Sequence, residues 1–190
     1  MSRAYEKMEQ MLSNIEVILL NIVNEKPSYA YEIDKTIELR EMKRWVRIGS
    51  ASIYRVLIKL EKKGLVYSRR EKEGKMPERK RYYITEPGKA ALAEAAKKLL
   101  SQLEWYYLDL NVGFEASDGL TADEIVSCLQ KRLTKVKSNI RGLQEIYNTE
   151  QGLSEKKRII IKNLIYIRGA EEKILEEAIH NIATHGKIVE

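Results

Sequence analysis

Ser50-Ala51-Ser52-Ile53-Tyr54-Arg55-Val56-Leu57-Ile58-Lys59-Leu60-Glu61-Lys62-Lys63-Gly64-Leu65 is the stretch whose reading decides the fold. Ile53, Val56, Leu57 and Leu60 recur at helical spacing and give the segment one apolar face. Ser50, Ser52, Arg55 and Lys59 supply a polar front. Gly64 suits the left-handed position just past a helix end. A slim helix of this kind, short-chained at its start and cationic along its front, has the shape and chemistry to enter a DNA major groove.

The flanks agree. On the C-terminal side, Leu65–Glu71 and Arg79–Thr85 read as two strands around a polar tip that contains Gly74 and Pro77. On the N-terminal side, Met8, Met11, Leu12, Ile15, Leu19, Ile22 and Val23 mark a first helix over about 5–24, which Pro27 cannot continue. Ala30–Arg40 is a second helix with Ile33 and Ile37 inward, and residues 43–49 form a basic connection ending in Gly49. Three helices and a two-stranded wing make a winged helix-turn-helix, assigned to residues 1–86 as a DNA-binding domain.

The remainder, 87–190, reads as helical. Thr85-Glu86-Pro87-Gly88 opens a fourth helix, with Pro87 tolerated in its first turn. Leu92, Ala96, Leu99, Leu103, Tyr106 and Leu110 follow at spacings of 4, 3, 4, 3 and 4, a heptad seam that calls for a partner helix. Gly113 to Gly119 breaks the pattern, and Thr121 with Glu124 forms a capping box for a fifth helix reaching about Tyr147. A sixth follows Gly152 and Ser154, along Ile160, Leu164, Ile167, Ile174 and Ile182. The expected fold class is mainly α with a small two-stranded wing: a winged helix-turn-helix plus a C-terminal helical dimerisation domain.

Charge supports a polyanionic partner. Between Lys43 and Arg81 stand 14 Lys/Arg against four Glu, a local net of +10 in a chain whose total is +6. The apolar fraction is 44%, and no apolar run is long enough to cross a bilayer. The charged first residues do not resemble a secretory signal, and the single Cys128 excludes an internal disulfide and fits a reducing cytoplasm. Cys128 itself is expected to be a small core residue. His180 and His185 are five apart, do not share a helical face, and have no Cys- or His-rich partner segment, so no metal or cofactor is expected. Phosphate-cradling glycine patterns are missing, and the chain offers no catalytic constellation.

Residues 12–88 resemble the PadR family of transcriptional regulators. Ser28-Tyr29-Ala30-Tyr31-Glu32-Ile33, Ser52-Ile53-Tyr54, Leu57 through Leu65 and Arg81-Tyr82-Tyr83-Ile84-Thr85-Glu86-Pro87-Gly88 carry the resemblance. Two departures are mild: Ala30 stands where the family usually has Gly, and Ser50-Ala51 where Pro-Gly is frequent. The helical remainder is similar in length and pattern to the larger PadR branch, whose C-terminal helices dimerise. The resemblance implies a homodimeric repressor that binds an inverted-repeat operator and is released by a small-molecule effector. It also implies that Tyr54 sits at the protein–DNA boundary.

The expected DNA-binding residues are Tyr29, Ser50, Ser52, Tyr54, Arg55 and Lys59, with Arg70, Lys72, Lys75, Arg79 and Arg81 on the wing. The serines serve equally as helix caps, Tyr54 as a packing residue, and Arg55 as a guanine or a phosphate contact. Dimerisation is expected through Leu12, Ile15, Leu99, Leu103, Tyr106, Leu110, Leu164 and Ile167. An effector is expected at Trp45, Trp105, Tyr106 or neighbouring tyrosines, although Trp105-Tyr106-Tyr107 serves as readily to fill a seam between subunits. Two other readings compete: a winged-helix module that docks on the transcription machinery, and a DNA-packaging protein without sequence preference. The basic wing and short polar helix front count against the first, because a docking surface should show more exposed apolar residues, and a specific-to-random DNA affinity ratio near one would favour the second.

Overall fold

The computed structural model describes residues 12–72 and 78–186, in two compact units, Met1–Glu104 and Trp105–Glu190. The first unit runs α1 (Asn14–Glu25), β1 (Ser28–Tyr29), α2 (Ala30–Leu39), a 3-10 turn (Met42–Arg44), α3 (Ser50–Lys62), β2 (Val66–Glu71), β3 (Arg79–Ile84) and α4 (Glu86–Ser101). α4 packs on α1 and belongs to the first unit.

The apolar stripes meet in one core. Leu19, Leu20 and Val23 of α1, Ile33 and Ile37 of α2, and Ile53, Leu57 and Leu60 of α3 are all shut off from water. Each such side chain contributes roughly 2 kcal/mol by burial. Val66 and Tyr82 close the core from the sheet side. The expected two-stranded wing is present and gains a third, short strand. The order is β1-β3-β2, all antiparallel, with Ser28 opposite Tyr82 and Ser68 opposite Tyr82 on the other side.

α1 begins later than its apolar spacing suggests. Residues 5–11 lie outside the described residues, but Leu12 and Ser13 are not helical. Ser13 is the cap: its hydroxyl accepts from Glu16 N–H at 3.3 Å, and the Glu16 carboxylate accepts from Ser13 N–H at 2.8 Å. Ser13-Asn14-Ile15-Glu16 is a capping box, and the run of spaced apolar residues across it hid that stop.

The seam expected to run through Leu110 also breaks. α4 ends at Ser101, and Gln102 is extended, so Leu103, Tyr106 and Leu110 are not on that helix. Trp105-Tyr106-Tyr107 are weak helix formers, and the whole stretch from Leu103 to Leu108 is exposed. Without packing to hold them, residues of this type have little reason to stay helical.

In the second unit, α5 (Asp109–Glu115) lies against α6 (Ala122–Thr149) and α7 (Glu155–His185). α6 and α7 are antiparallel and bury Ile125, Leu129, Val136 and Ile140 against Leu175 and Ile182. Interhelical pairs Arg132–Glu171 (2.6 Å) and Lys137–Glu176 (2.6 Å) flank the seam. Thr121 and Glu124 form the expected capping box, Ser154 caps α7, and Gly186 ends it in the left-handed conformation. Cys128 is exposed on α6, not a core residue. Among the described residues no helix is long and apolar enough to cross a membrane.

The junction of wing and α4 is a backbone clamp. Thr85 N–H donates to the Leu65 carbonyl (3.1 Å), the Thr85 hydroxyl lies 2.8 Å from the Gly64 carbonyl, and Gly88 N–H donates to that hydroxyl (3.0 Å). Gly88 is there for space: a Cβ would sit 2.0 Å from the Leu65 carbonyl oxygen. Because backbone must move to admit it, Gly88→Ala should cost about 3 kcal/mol or more. Urea unfolding of the two proteins measures this, and a loss within noise would refute the clamp.

Candidate nucleic-acid interface

α3 owes its position to three elements. Its inner residues Ile53, Leu57 and Leu60 lock into the core, and its C-terminal end is tied to α1 and to the wing. At that end, Lys63 donates to the Glu16 carboxylate at 2.7 Å and Lys59 approaches it at 3.3 Å. Glu61 accepts from Ser68 on β2 and pairs with Lys80 on β3 at 3.2 Å. Both carboxylates are held below the ordinary range. Burial alone would raise Glu16, but the hydrogen bonds from Lys63 and Ser13 and the two ammonium charges overcome it. For Glu61 the Ser68 hydroxyl is the main cause and Lys80 the second cation-side one.

With its inner face and its far end fixed, α3 turns one stripe outward. Ala51, Tyr54, Arg55, Ile58 and Lys62, at helical spacing, are all exposed, and Tyr54 is more than half so. Arg55 and Lys62 make no ion pair or hydrogen bond among the described residues, and nor does Arg47, just before the helix. Ser50 is exposed in the first turn, with Gly49 as the cap, so it is not spent on capping. Ser52 is half-buried, and its N–H donates to the Gly49 carbonyl at 2.8 Å.

The outer face of the sheet sorts the wing cations differently. Tyr67 and Tyr83 are stacked at 5.1 Å with Arg69 over both rings. Tyr29 and Tyr31 are stacked at 5.7 Å, with Arg81 over Tyr29 and Arg79 over Tyr31. Arg81 also reaches the Pro27 carbonyl (3.3 Å) and Glu71 (3.2 Å). Hydrogen bonds from Tyr83 and then Arg81 hold Glu71 below the usual carboxylate range. The wing arginines are thus partly spent on holding the sheet. Arg70 keeps only a long contact to Glu78 (3.7 Å), and Lys72 is exposed with no partner among the described residues.

Of the expected DNA-binding residues, Ser50, Tyr54 and Arg55 lie together on the exposed front of α3, and Arg70, Lys72 and Arg79 are exposed on the wing. Tyr29 is buried, and Lys59 is shared with Glu16. Lys75 lies outside the described residues. Arg47, Ile58 and Lys62 join the exposed front without having been picked out. Lys62 was legible, since it stands seven residues beyond Arg55 on the same stripe. Among the expected dimerisation residues, Leu12 and Ile15 pack on the first unit's own core and Leu110 on the second's. Leu164 is half-buried, and Leu99, Leu103, Tyr106 and Ile167 are exposed. Trp45 is exposed in the first unit, Trp105 and Tyr106 in the second.

A core-locked helix with an unpaired cationic front, followed by a cation-rich hairpin, defines a winged helix-turn-helix of the DNA-binding type. The model of the transcriptional regulator PadR-like family matches residues 19–94, and the chain belongs to that family of regulators, which are not enzymes. An uncharacterised protein of Lysinibacillus sphaericus is 34% identical over 85 residues, 45% of this chain and 77% of that protein. Bacillus subtilis PadR in complex with operator DNA superposes with a TM-score of 0.74 at 18% identity, covering 90% of this chain and 99% of that one. The same protein in complex with p-coumaric acid gives 0.74 at 17%, covering 89% and 98%. The protein smu.1604c of Streptococcus mutans gives 0.62 at 25%, covering 87% and 98%.

The Glu16 junction makes a pH signature. Its folded-state pKa lies below the unfolded value near 4.5, so its stabilisation is complete above that value and is lost as pH falls through the folded-state one. Glu16→Gln should cost about 2 kcal/mol at neutral pH, the scale of hydrogen bonds to charged groups. The gap from the parent chain should shrink as pH falls below about 4.5. A gap that stays constant in urea titrations across that range would refute the assignment.

Proposed function

We propose that this chain is a homodimeric, cytoplasmic transcriptional repressor. In this reading α3 enters the major groove of each half of an inverted-repeat operator, and a small molecule releases the complex. The observation that carries it is the outward stripe of α3, where Arg55 and Lys62 stand exposed without partners among the described residues while Lys59 and Lys63 are paired. A cationic stripe on a fixed helix, within a stretch of net charge +10, is the electrostatic footprint of a polyanion-binding face. Tyr54 and Ile58 suit a sugar or thymine-methyl contact, and Arg55 a guanine edge or a phosphate. The wing's Arg70, Lys72 and Arg79 suit the flanking backbone. The structurally similar PadR, solved with operator DNA and with p-coumaric acid, supports the DNA and effector parts.

Dimerisation is supported by apolar side chains the single chain leaves in water. Ile159, Tyr166, Ile167 and Ile174 form an exposed stripe along α7, at intervals of 7, 1 and 7. Two-fold DNA half-sites about one helical turn apart would match such a dimer. Sedimentation should give a dimer, and Tyr166→Glu with Ile174→Glu should give a folded monomer with much weaker operator binding. A monomeric parent chain would remove the inverted repeat from this reading.

The direct test is a binding titration on DNA upstream of the gene that encodes this chain, against random duplex. Arg55→Ala should cost about 1–3 kcal/mol on the specific site alone if it reads a base, and equally on both if it grips phosphate. The log–log salt slope should be steeper than about −2, given the cationic front and wing. Failure to bind any duplex at low salt would overturn the reading.

A further inference from the structure

The outward front of α3 is not cationic throughout. Ala51 and Ile58 stand two helical turns apart on one face, with Tyr54 beside them, and Arg55 and Lys62 run parallel to that row. Ile58 is 47% exposed and Tyr54 55%, while Ile53, Leu57 and Leu60 fill the core from the opposite side of the helix. A grip on phosphates alone has no use for an aliphatic side chain one turn from each of its cations. We infer that Ile58 reads a thymine through its C5-methyl group in the major groove. This rests on the DNA-binding reading and deepens it, by naming the base feature that α3 recognises.

The chemistry of the groove narrows what Ile58 can meet. Base edges there present hydrogen-bond donors, acceptors and one apolar group, the thymine methyl. Against a donor or an acceptor, Ile58 would strip away water and return no hydrogen bond, which is costly. Against a phosphate it offers no charge. Against a methyl group both surfaces leave water, which is favourable. A single exposed isoleucine needs no explanation on an ordinary surface. This one lies inside the cationic stripe that the DNA-binding reading puts in the groove.

Geometry supplies the access and the rigidity that such a contact requires. Ser50 and Ala51, short side chains in the first turn, let base edges approach the helix. A gap of about 1 Å forfeits up to half of a dispersion contact, so a methyl group is legible only to a helix that holds still. α3 is held along its inner face by the core. Its far end is held by Lys63 on Glu16 (2.7 Å) and by Lys80 on Glu61 (3.2 Å).

The test removes the methyl group and nothing else. The full chain first selects its preferred duplex from a random-sequence pool. That duplex is then titrated with each thymine replaced singly by deoxyuridine, which pairs identically. Replacement at one position should weaken binding about fourfold, the scale of one buried methyl group. Ile58→Ala should bind the thymine duplex at least about fourfold more weakly and be indifferent to deoxyuridine at that position. Its side chain is exposed and alanine favours helix, so the variant should fold, which urea unfolding checks. Arg55→Ala should keep the methyl-dependent step, because it lacks a different contact.

Several results would overturn the inference and leave the DNA-binding reading intact. A step that persists in Ile58→Ala assigns the methyl group to another side chain, and no step at any thymine removes methyl reading altogether. A pool that yields bound duplexes without a preferred sequence makes α3 a phosphate grip alone. Ile58→Ala that binds as tightly as the parent chain takes Ile58 out of the DNA interface. Failure to bind any duplex at low salt overturns the DNA-binding reading itself, and this inference with it.

Discussion

A carboxylate with no access to water stands at the hinge of this winged helix. Glu16 is 1% exposed, and both of its oxygens are committed: one to the N–H that starts α1, the other to Lys63 and Lys59 at the end of α3. A buried charge of this kind is tolerated only when its partners are in place, because the desolvation it suffers is not returned otherwise. The apolar core would hold α3 near α1 in any case. The ion pair ties the C-terminal end of α3 to the start of α1.

That constraint propagates into a division of labour among the cations. Lys59, Lys63 and Lys80 are used at the far end of α3, and Arg69 and Arg81 cover tyrosine rings on the sheet, while Arg79 lies over Tyr31 and stays exposed. Arg47, Arg55, Lys62 and Lys72 are left on the outside. The +10 stretch is therefore two populations, one structural and one available to a polyanion. Net charge alone cannot distinguish them. The second unit repeats the pattern on a smaller scale, with Arg132 and Arg168 fixed by Glu171 while Lys131 and Lys135 have no ion-pair partner among the described residues.

Much of the first unit was readable from local pattern. The limits of α2, α3, β2 and β3, the cap at Thr85 and the left-handed Gly64 all follow from spacing and residue type. The start of α1 was also readable, at Ser13-Asn14-Ile15-Glu16, but a longer apolar periodicity covered it. The end of α4 was not. A heptad seam without a neighbour to fill has no reason to stay helical, and periodicity says nothing about whether the neighbour is there. Cys128 was misplaced for a related reason: which side of a helix is covered depends on what packs across it.

From residue order alone came the winged helix, its cationic bias and the apolar faces of its helices, because periodicity and turn chemistry act over a few neighbouring positions. Only the folded chain decided which lysines and arginines are spent and which are spare. Glu16 and Lys63 are 47 positions apart, and Arg132 and Glu171 are 39 apart. Pairings over such distances exist only once the core has brought the helices together, and they leave no mark in any local window of sequence.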